Sequence, residues 1–302
     1  MAAGITRRSK VVAATTVHPE YRQVVGTYLG GRRLSLVTLD AVSGTLSLDA
    51  VRQTVDDQTA ALLVQQPNFF GCLEDLEALA KVVRERGALL VVAINPIALG
   101  LLRPPGDCGS DIVVGEGQAL GLAPGFGGPY LGLMATLEAY TRQLPGRLVG
   151  LTSDDRDQRA YVLTLQAREQ HIRRERATSN ICTNEGLCAL AATVYLSLMG
   201  PQGLRWVSEL CLRKAHYAAQ RIVALPGFSL AFERPFFHEF AVRCRRPPAE
   251  INARLLEVGI LGGLELGRWY PELADCLLFC VTEMNSRAQI DRLVDALAGV
   301  HR

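Results

Sequence analysis

The stretch GEGQALGLAPGFGGPYLG, Gly115–Gly132, decides which α/β fold this sequence can adopt. It follows a predicted strand and contains GxGxxxG, a spacing similar to the loop of a dinucleotide-binding fold. That loop must run directly into a helix whose amino terminus faces the pyrophosphate, whereas Pro124 and the glycines around it interrupt any helix here. Two interpretations of these residues stay open: a turn without a ligand, or a loop of another cofactor-binding fold.

The composition is typical of a globular protein rather than a disordered or fibrous one. Of 302 residues, 49% are hydrophobic and 21% are charged. The formal net charge of +2 is too small to predict binding to nucleic acid or to an anionic membrane. The longest apolar run, residues 87–102, is broken by Asn95 and Pro96 before it reaches the roughly 20 residues of a membrane span. We therefore expect no nucleic-acid or membrane partner.

The amino terminus and the cysteines indicate the compartment. MAAGITRRSKVV has no apolar core of a secretory signal, so we expect a cytoplasmic protein. The eight cysteines contain no CxxC pair and the five histidines form no HExxH motif. Motif spacing therefore predicts no metal site, and the cysteines are expected to serve as core or surface thiols.

Apolar runs with β propensity alternate with amphipathic segments in the first half of the chain, which predicts a mostly parallel sheet covered on both faces. The predicted strands are KVVAATT, RLSLVTL, AALLVQQ, ALLVVAI, DIVVG and YLGLMAT. Two long helices follow in residues 183–225 and meet at Gly200 and Pro201. After Pro226 the sequence again predicts short strands that alternate with helices. We predict a large α/β domain in residues 1–224 and a small carboxy-terminal α+β domain in residues 225–302.

This order of elements resembles the fold type I, aspartate aminotransferase-like, pyridoxal phosphate proteins. In that fold an Asp after one strand pairs with the pyridine nitrogen, and a Lys about 25 residues later forms the Schiff base. The corresponding residues here are Asn95 and Gln118. An asparagine cannot keep a pyridinium protonated and a glutamine cannot form an imine. The three lysines of the chain, Lys10, Lys81 and Lys214, are not predicted to follow a strand.

Several segments resemble the α subunit, or amino-terminal half, of the glycine decarboxylase P-protein. They are VQQPNFFGCLEDLEALA, GFGGPYLG, RQLPGRLVG, RPFFHEF and the long block from Leu163 to Gly200. The similarity runs from about TTVHPEYR to the end of the chain. It implies a subunit of an oxidoreductase with the fold type I architecture in its large domain.

The resemblance also implies an α2β2 assembly of the glycine cleavage system. In such assemblies the β subunit carries pyridoxal phosphate on a lysine and removes the carboxylate of glycine as carbon dioxide. It then passes the aminomethyl group to the lipoyl arm of the H-protein. Matching its glycine-rich loop to GQALGLAPGFGGP places the cofactor lysine at Gln118. The expected role of this chain is therefore non-catalytic, with no activity on its own and the cofactor in the partner.

Two other interpretations are open at this point. Relatives of the α subunit have a further amino-terminal region before the position of Met1, so we expect a chain that lacks this region. Such a chain could be a truncated scaffold or interaction protein that binds the β subunit without supporting turnover. A self-sufficient pyridoxal phosphate enzyme is the third interpretation, which Asn95 and Gln118 oppose.

Active sites of fold type I dimers lie at the subunit interface, so residues of a non-catalytic subunit can line the partner's site. The loop Phe126, Gly127 and Gly128 is one candidate, because glycines allow another backbone or a lipoyl arm to approach, although turn geometry also explains them. Asn68 and Phe69 are candidates because they end a strand, where open α/β sheets bind ligands. A packed aromatic turn fits these two residues equally well.

A third candidate segment precedes the long helical region. Ser179, Asn180 and Thr183 lie just before a helix whose amino terminus favours anions, so they could bind the phosphate of the partner's cofactor. Ordinary helix capping is the alternative interpretation.

Overall fold

The computed structural model describes residues 1–41, 43–166, 169–177 and 185–300. Its strands are β1 Lys10–Ala14, β2 Ser35–Leu39, β3 Thr59–Gln66, β4 Leu89–Ile94, β5 Ile112–Glu116, β6 Gly132–Thr136, β7 Leu148–Ser153, β8 Arg159–Thr164, β9 Phe228–Leu230, β10 Glu239–Cys244, β11 Leu264–Glu265 and β12 Cys276–Cys280. Its α-helices are α1 Ala2–Thr6, α2 Pro19–Gly30, α3 Leu48–Thr54, α4 Leu76–Glu85, α5 Gln170–Arg173, α6 Gly186–Val223, α7 Pro248–Glu257 and α8 Arg287–Val300.

The six strands predicted in the first half form one sheet, in the order β2-β1-β3-β4-β5-β6. The first five strands are parallel, and β6 runs antiparallel to β5 at the edge. The central strand β3 buries its first six residues, as expected for a parallel strand covered on both faces. Leu62, Leu90 and Leu79 meet in the core beneath α4. The prediction of a mostly parallel, mixed α/β sheet is confirmed.

Helix α4 forms where the helical spacing of Leu76, Leu79, Ala80 and Val83 in the sequence predicts it. Asp75 caps it, because the side-chain carboxylate accepts a hydrogen bond from the backbone N–H of Ala78. Leu79 and Val83 are buried on the face towards the sheet. Gly87 follows at φ 63°, the left-handed backbone that ends a helix at little cost only with glycine.

Helix α6 has two segments that meet at Gly200, whose φ of 60° and ψ of −178° are not helical. The sequence predicts this division at Gly200 and Pro201. The second segment packs closely on a 3₁₀ turn, Pro96–Gly100, that follows β4. A Cβ at Gly100 would lie 2.1 Å from Ser208 Oγ, so only glycine allows this approach. The helix thereby supports the carboxyl edge of the first sheet.

The carboxy-terminal strands form an antiparallel sheet in the order β11-β12-β10-β9. Helices α7 and α8 cover one face, where Phe240, Leu255 and Leu277 are buried together. The second segment of α6 contributes Ala218 and Ile222 to the same core. Because α6 packs against both sheets, the division between residues 1–224 and 225–302 stays a prediction.

A close backbone contact joins the two sheets. The loop after β3 reaches the residues that lead into β10, where the N–H of Phe237 donates to the carbonyl of Gly71 at 3.1 Å. Cys72 and Phe236 form an antiparallel bridge beside it. A Cβ at Gly71, which has φ 81°, would lie 1.8 Å from the carbonyl oxygen of Glu239. Glycine at this position therefore fixes the start of β10 against the first sheet.

The hairpin of β7 and β8 is absent from the predicted strands. Its side chains are mostly exposed on both faces. Without a buried face, the two strands carry no alternation of apolar and polar residues, which is the signal that a strand prediction uses. Asp154 forms the turn, since its carboxylate accepts from the backbone N–H groups of Arg156 and Gln158.

Candidate functional site

The carboxyl edge of the first sheet brings together the two residues that the sequence places at cofactor positions. Strands β4 and β5 are parallel neighbours in which Ile94 pairs with Gly115. Asn95 directly follows β4, and Gln118 lies two residues beyond β5. Both therefore lie at the edge where open α/β sheets bind their ligands.

Asn95 has a structural role at this edge. Its Oδ1 accepts a hydrogen bond from the N–H of Ile97 at 3.0 Å and caps the 3₁₀ turn. Its Nδ2 lies 3.4 Å from Nε2 of His238. A neutral amide provides no negative charge that could keep a pyridine nitrogen protonated.

Gln118 is bonded within its own turn. Its backbone N–H donates to the carboxylate of Glu116 at 2.9 Å, and its Nε2 donates to the carbonyl of Leu122. The carboxylate of Glu116 also accepts from the N–H of Leu131 at 3.1 Å, which closes the glycine-rich loop onto β5. An amide engaged in this way is no nucleophile, so the loop does not fit a covalent cofactor.

The three lysines lie elsewhere. Lys10 opens β1, where its Nζ donates to the carbonyl of Thr54 at 2.8 Å and to the carboxylate of Asp56. Lys81 lies within α4, and Lys214 lies within α6, where it donates to the carbonyl of Glu283. None of the three lysines therefore places the amine that a Schiff base requires at the carboxyl edge of the sheet.

The glycine-rich loop projects away from the chain. Phe126 is 97% exposed, and a Cβ at Gly127 would meet nothing within 4 Å. Phe126, Gly127 and Gly128 all have positive φ, at 49°, 128° and 104°. The two glycines provide the positive φ that this turn requires, and the phenylalanine ring is exposed to solvent. That these residues line a partner's site stays a prediction.

Asn68 and Phe69 are packed inside the chain. Asn68 is fully buried, and its Nδ2 donates to the carbonyl of Gly44 and to the carboxylate of Glu74. Its Oδ1 accepts from the backbone N–H groups of Phe70 and Cys72. Phe69 is buried against a cluster of aromatic rings. In this chain both residues form the packed aromatic turn, and their contact with a partner stays a prediction. Ser179, Asn180 and Thr183 lie outside the described residues.

Sequence reasoning missed a broad apolar surface on the first segment of α6. Leu187, Leu190, Val194 and Leu198 recur at helical spacing, and Leu187 and Leu198 are 83% and 81% exposed. By length and composition, α6 is also the one helix of the described residues that is long and apolar enough to cross a bilayer. The signal in the sequence is LCALAATVYLSL, which is apolar around the whole helix.

It also missed a group of ionisable side chains where β10 begins and β12 ends. His238, Glu239 and Cys280 each offer a possible metal-ligating atom, and these atoms lie within 4.8 Å of one another. Burial lowers the pKa of His238 to about 4 and raises the pKa of Glu239 to about 7. Burial also raises the pKa of Tyr21, to which the carboxylates of Glu116 and Glu239 add. No motif could reveal this group, because its members come from two different strands.

The architecture defines the class of the protein: a parallel sheet with one antiparallel edge strand, a long helix and a small antiparallel sheet form the fold type I, pyridoxal phosphate-dependent architecture. The alanine–glyoxylate aminotransferase of Nostoc sp. has this fold at a TM-score of 0.67 and 20% identity, covering the whole of this chain and 78% of the other. The chain belongs to the glycine cleavage system P-protein family, whose model matches residues 1–297.

Relatives within the family are closely similar. A "Probable glycine dehydrogenase (decarboxylating) subunit 1" of Desulforamulus reducens is 55% identical over 300 residues, which are 99% of this chain and 67% of that protein. Its counterpart in Thermomicrobium roseum is 57% identical over 292 residues, 96% of this chain and 65% of that protein. An inhibitor-bound crystal structure of glycine decarboxylase (P-protein) has a TM-score of 0.93 and 41% identity, covering 99% of this chain and 67% of the other.

These comparisons confirm the family and the fold class that the sequence predicts. The P-protein family is pyridoxal phosphate-dependent, and its members of this type are subunits of an oxidoreductase, glycine dehydrogenase (decarboxylating). The chain spans about two thirds of the length of the curated relatives it matches.

Proposed function

We propose that this chain is the non-catalytic α subunit of a two-subunit P-protein, in a cytoplasmic α2β2 assembly whose β subunit holds pyridoxal phosphate. With glycine as substrate, the assembly releases carbon dioxide and transfers the aminomethyl group to the lipoyl arm of the H-protein. The chain by itself is inactive. Its role is to complete and support the site of its partner.

The residues at the two cofactor positions carry this proposal. Gln118 replaces an amine with an amide already bonded to Leu122, and Asn95 replaces a carboxylate with an amide that caps a turn. Loss of the lysine or of the aspartate alone would weaken a cofactor site. With Gln118 and Asn95 at these positions, the site has neither the covalent bond to the cofactor nor the carboxylate that pairs with its pyridinium. The residues do not fit covalently bound pyridoxal phosphate, so no reaction step is assigned to them.

The exposed apolar surface supports a protein partner. Soluble monomers rarely expose contiguous apolar patches of more than a few hundred Å². Here Leu187, Leu190, Val194 and Leu198 form an exposed stripe on α6, and Leu151 and Tyr161 of the β7–β8 hairpin are exposed as well. A β subunit that covers these side chains would remove them from water.

Reconstitution tests the proposal. Glycine-dependent exchange of carbon dioxide is measured with the β subunit and lipoylated H-protein, with and without this chain. Activity that requires the chain supports the proposed role. Binding to the β subunit without any gain in exchange would instead indicate a scaffold that does not support turnover, and exchange by the chain alone would contradict the proposal.

Substitution of the exposed leucines tests the surface. The double variant Leu190→Glu, Leu198→Glu is expected to weaken association with the β subunit by at least about tenfold, because two charges would be buried in an apolar contact. Leu261→Glu is the matched control, since Leu261 is also exposed but lies in the carboxy-terminal part of the chain. Both proteins should retain the thermal stability of the parent. Unchanged association of the double variant, together with loss of binding to lipid vesicles, would point to a membrane instead.

A further inference from the structure

Three side chains with different ligand atoms converge where the carboxy-terminal sheet faces the first sheet. Glu239 opens β10 and pairs across the strands with Cys280, which ends β12. His238 directly precedes Glu239. An imidazole nitrogen, a carboxylate oxygen and a thiol sulfur all lie within 4.8 Å of one another. These are the N, O and S donors that zinc accepts together.

One nitrogen of the His238 imidazole has no hydrogen-bond partner among the described residues. The residue is 7% exposed, and its Nδ1 is buried without a hydrogen bond among the described residues. Its other nitrogen lies 3.4 Å from the amide of Asn95, a contact too long to fix the tautomer. Because nearly all buried polar atoms in proteins have a partner, an imidazole with an unpaired nitrogen, close to a carboxylate and a thiol, indicates a missing ligand.

The surrounding charges favour a cation. A second carboxylate, that of Glu283, acts electrostatically on both His238 and Cys280. A divalent cation would offset this negative charge and stabilise the thiolate. Cys280 is exposed, which leaves a route from solvent to the three side chains.

Backbone hydrogen bonds fix the start of β10 and the end of β12, where the three residues lie. The N–H of Phe237 donates to the carbonyl of Gly71, and the N–H of Val281 donates to the carbonyl of His238 at 3.0 Å. Ligand atoms bound to one zinc at about 2.0–2.3 Å lie roughly 3.3–3.8 Å apart. The present separation of at most 4.8 Å exceeds this range by a distance that rotation of side chains between rotamers can cover.

We propose that His238, Glu239 and Cys280 bind one Zn²⁺ ion, with a water molecule as the fourth ligand. Such a site is independent of the role proposed above, because it needs neither the β subunit nor glycine. The softer thiolate and imidazole donors select zinc over magnesium or calcium. Motif spacing gave the opposite expectation only because the ligands come from separate strands.

Cobalt substitution tests the site directly. The reduced chain is titrated with Co²⁺ under anaerobic conditions, and the thiolate-to-cobalt charge-transfer absorbance is followed. We expect saturation at one ion per chain and displacement of cobalt by Zn²⁺. Cys280→Ser should abolish the absorbance, while Cys108→Ser, which removes a half-buried thiol elsewhere, should leave it unchanged. Circular dichroism checks that both variants are folded.

A second variant keeps the test independent of the thiol. Loss of an outer-shell partner typically weakens metal binding about 10- to 100-fold, so loss of a ligand in Glu239→Gln should weaken Zn²⁺ binding by at least that factor in a chelator competition. The proposal fails if the folded chain shows no saturable binding. It fails equally if the absorbance persists in Cys280→Ser, or if Glu239→Gln binds zinc as tightly as the parent.

Discussion

At the scale of single residues, Gln118 is one of two positions that separate this chain from a covalent pyridoxal phosphate enzyme. Its amide is bonded to the carbonyl of Leu122, and no lysine lies at the carboxyl edge of the sheet. We expect the purified chain mixed with pyridoxal phosphate to show no aldimine absorbance. Reduction with borohydride should leave no cofactor covalently attached to a lysine. Gln118→Lys should not yield a glycine decarboxylase, because Asn95 still provides no carboxylate.

The measurement for Gln118→Lys is carbon dioxide release from glycine by the variant alone. The parent chain is its control. Two results would contradict the role given to Asn95 and Gln118. One is cofactor attached to Lys10, Lys81 or Lys214 of the parent after reduction, and the other is turnover by the single variant.

Two glycines with positive φ differ in what surrounds them. A Cβ at Gly71 would overlap the carbonyl of Glu239, whereas a Cβ at Gly127 would point into open space. We expect Gly71→Ala to lower the free energy of unfolding by about 3 kcal/mol or more, from strain and overlap together. Gly127→Val should cost about 1–3 kcal/mol, from backbone strain alone.

Urea denaturation of the isolated variants measures both values. If Gly127 also lies against the β subunit, Gly127→Val will weaken association in addition to its cost in stability. A smaller loss for Gly71→Ala than for Gly127→Val would mean that the two sheets do not approach each other at this point.

At the scale of secondary-structure elements, an ion pair joins the start of β1 to the end of α3. Lys10 donates to the carboxylate of Asp56, and this hydrogen bond holds the pKa of Asp56 at about 2, below the usual 3.8. A carboxyl group whose pKa is lower in the folded state stabilises the fold at higher pH and loses that contribution as the pH falls. The contribution of Asp56 should therefore be complete above pH 3.8 and disappear towards pH 2.

Comparison of the parent with Asp56→Asn isolates this contribution. The difference in their free energies of unfolding should shrink as the pH falls through that window, as measured by urea denaturation at each pH. The effect is small, because the pair is partly exposed to solvent. A difference that stays constant with pH would show that the ion pair does not form.

At the scale of the whole molecule, one buried cluster joins the two sheets. Phe69 and Phe70, from the loop after β3, pack against Leu266 and Tyr270 of the carboxy-terminal part. The hydroxyl of Tyr270 donates to the carbonyl of Thr15 at 2.7 Å, across the same boundary. We expect the predicted domains to unfold together, so far- and near-ultraviolet circular dichroism should give coincident thermal transitions.

Tyr270→Phe provides the matched variant for this prediction. It leaves the carbonyl of Thr15 without its donor and should cost about 1–3 kcal/mol, while the two transitions stay coincident. Two separate transitions in the parent would instead mean that residues 1–224 and 225–302 unfold as independent domains.

Much of the fold could be predicted because its signals are local. Apolar runs such as ALLVVAI and the break at Gly200 each depend on neighbouring residues, and both appear where the sequence predicts. The hairpin of β7 and β8 could not be predicted in this way, because neither strand has a buried face. The same holds for the candidate site. The identities of Asn95 and Gln118 could be predicted from local sequence, whereas the convergence of His238, Glu239 and Cys280 depends on distant contacts.

The sequence by itself determined the α/β class, the family, and the absence of a lysine and an aspartate at the cofactor positions, since these follow from residue identity and local pattern. Only the tertiary structure decided that Asn68 is buried, that one face of α6 is exposed, and that His238 meets both Asn95 and Cys280. The physical reason is that burial and convergence depend on contacts between residues far apart in the chain. The close approach at Gly71 creates one such contact, and no local periodicity encodes it.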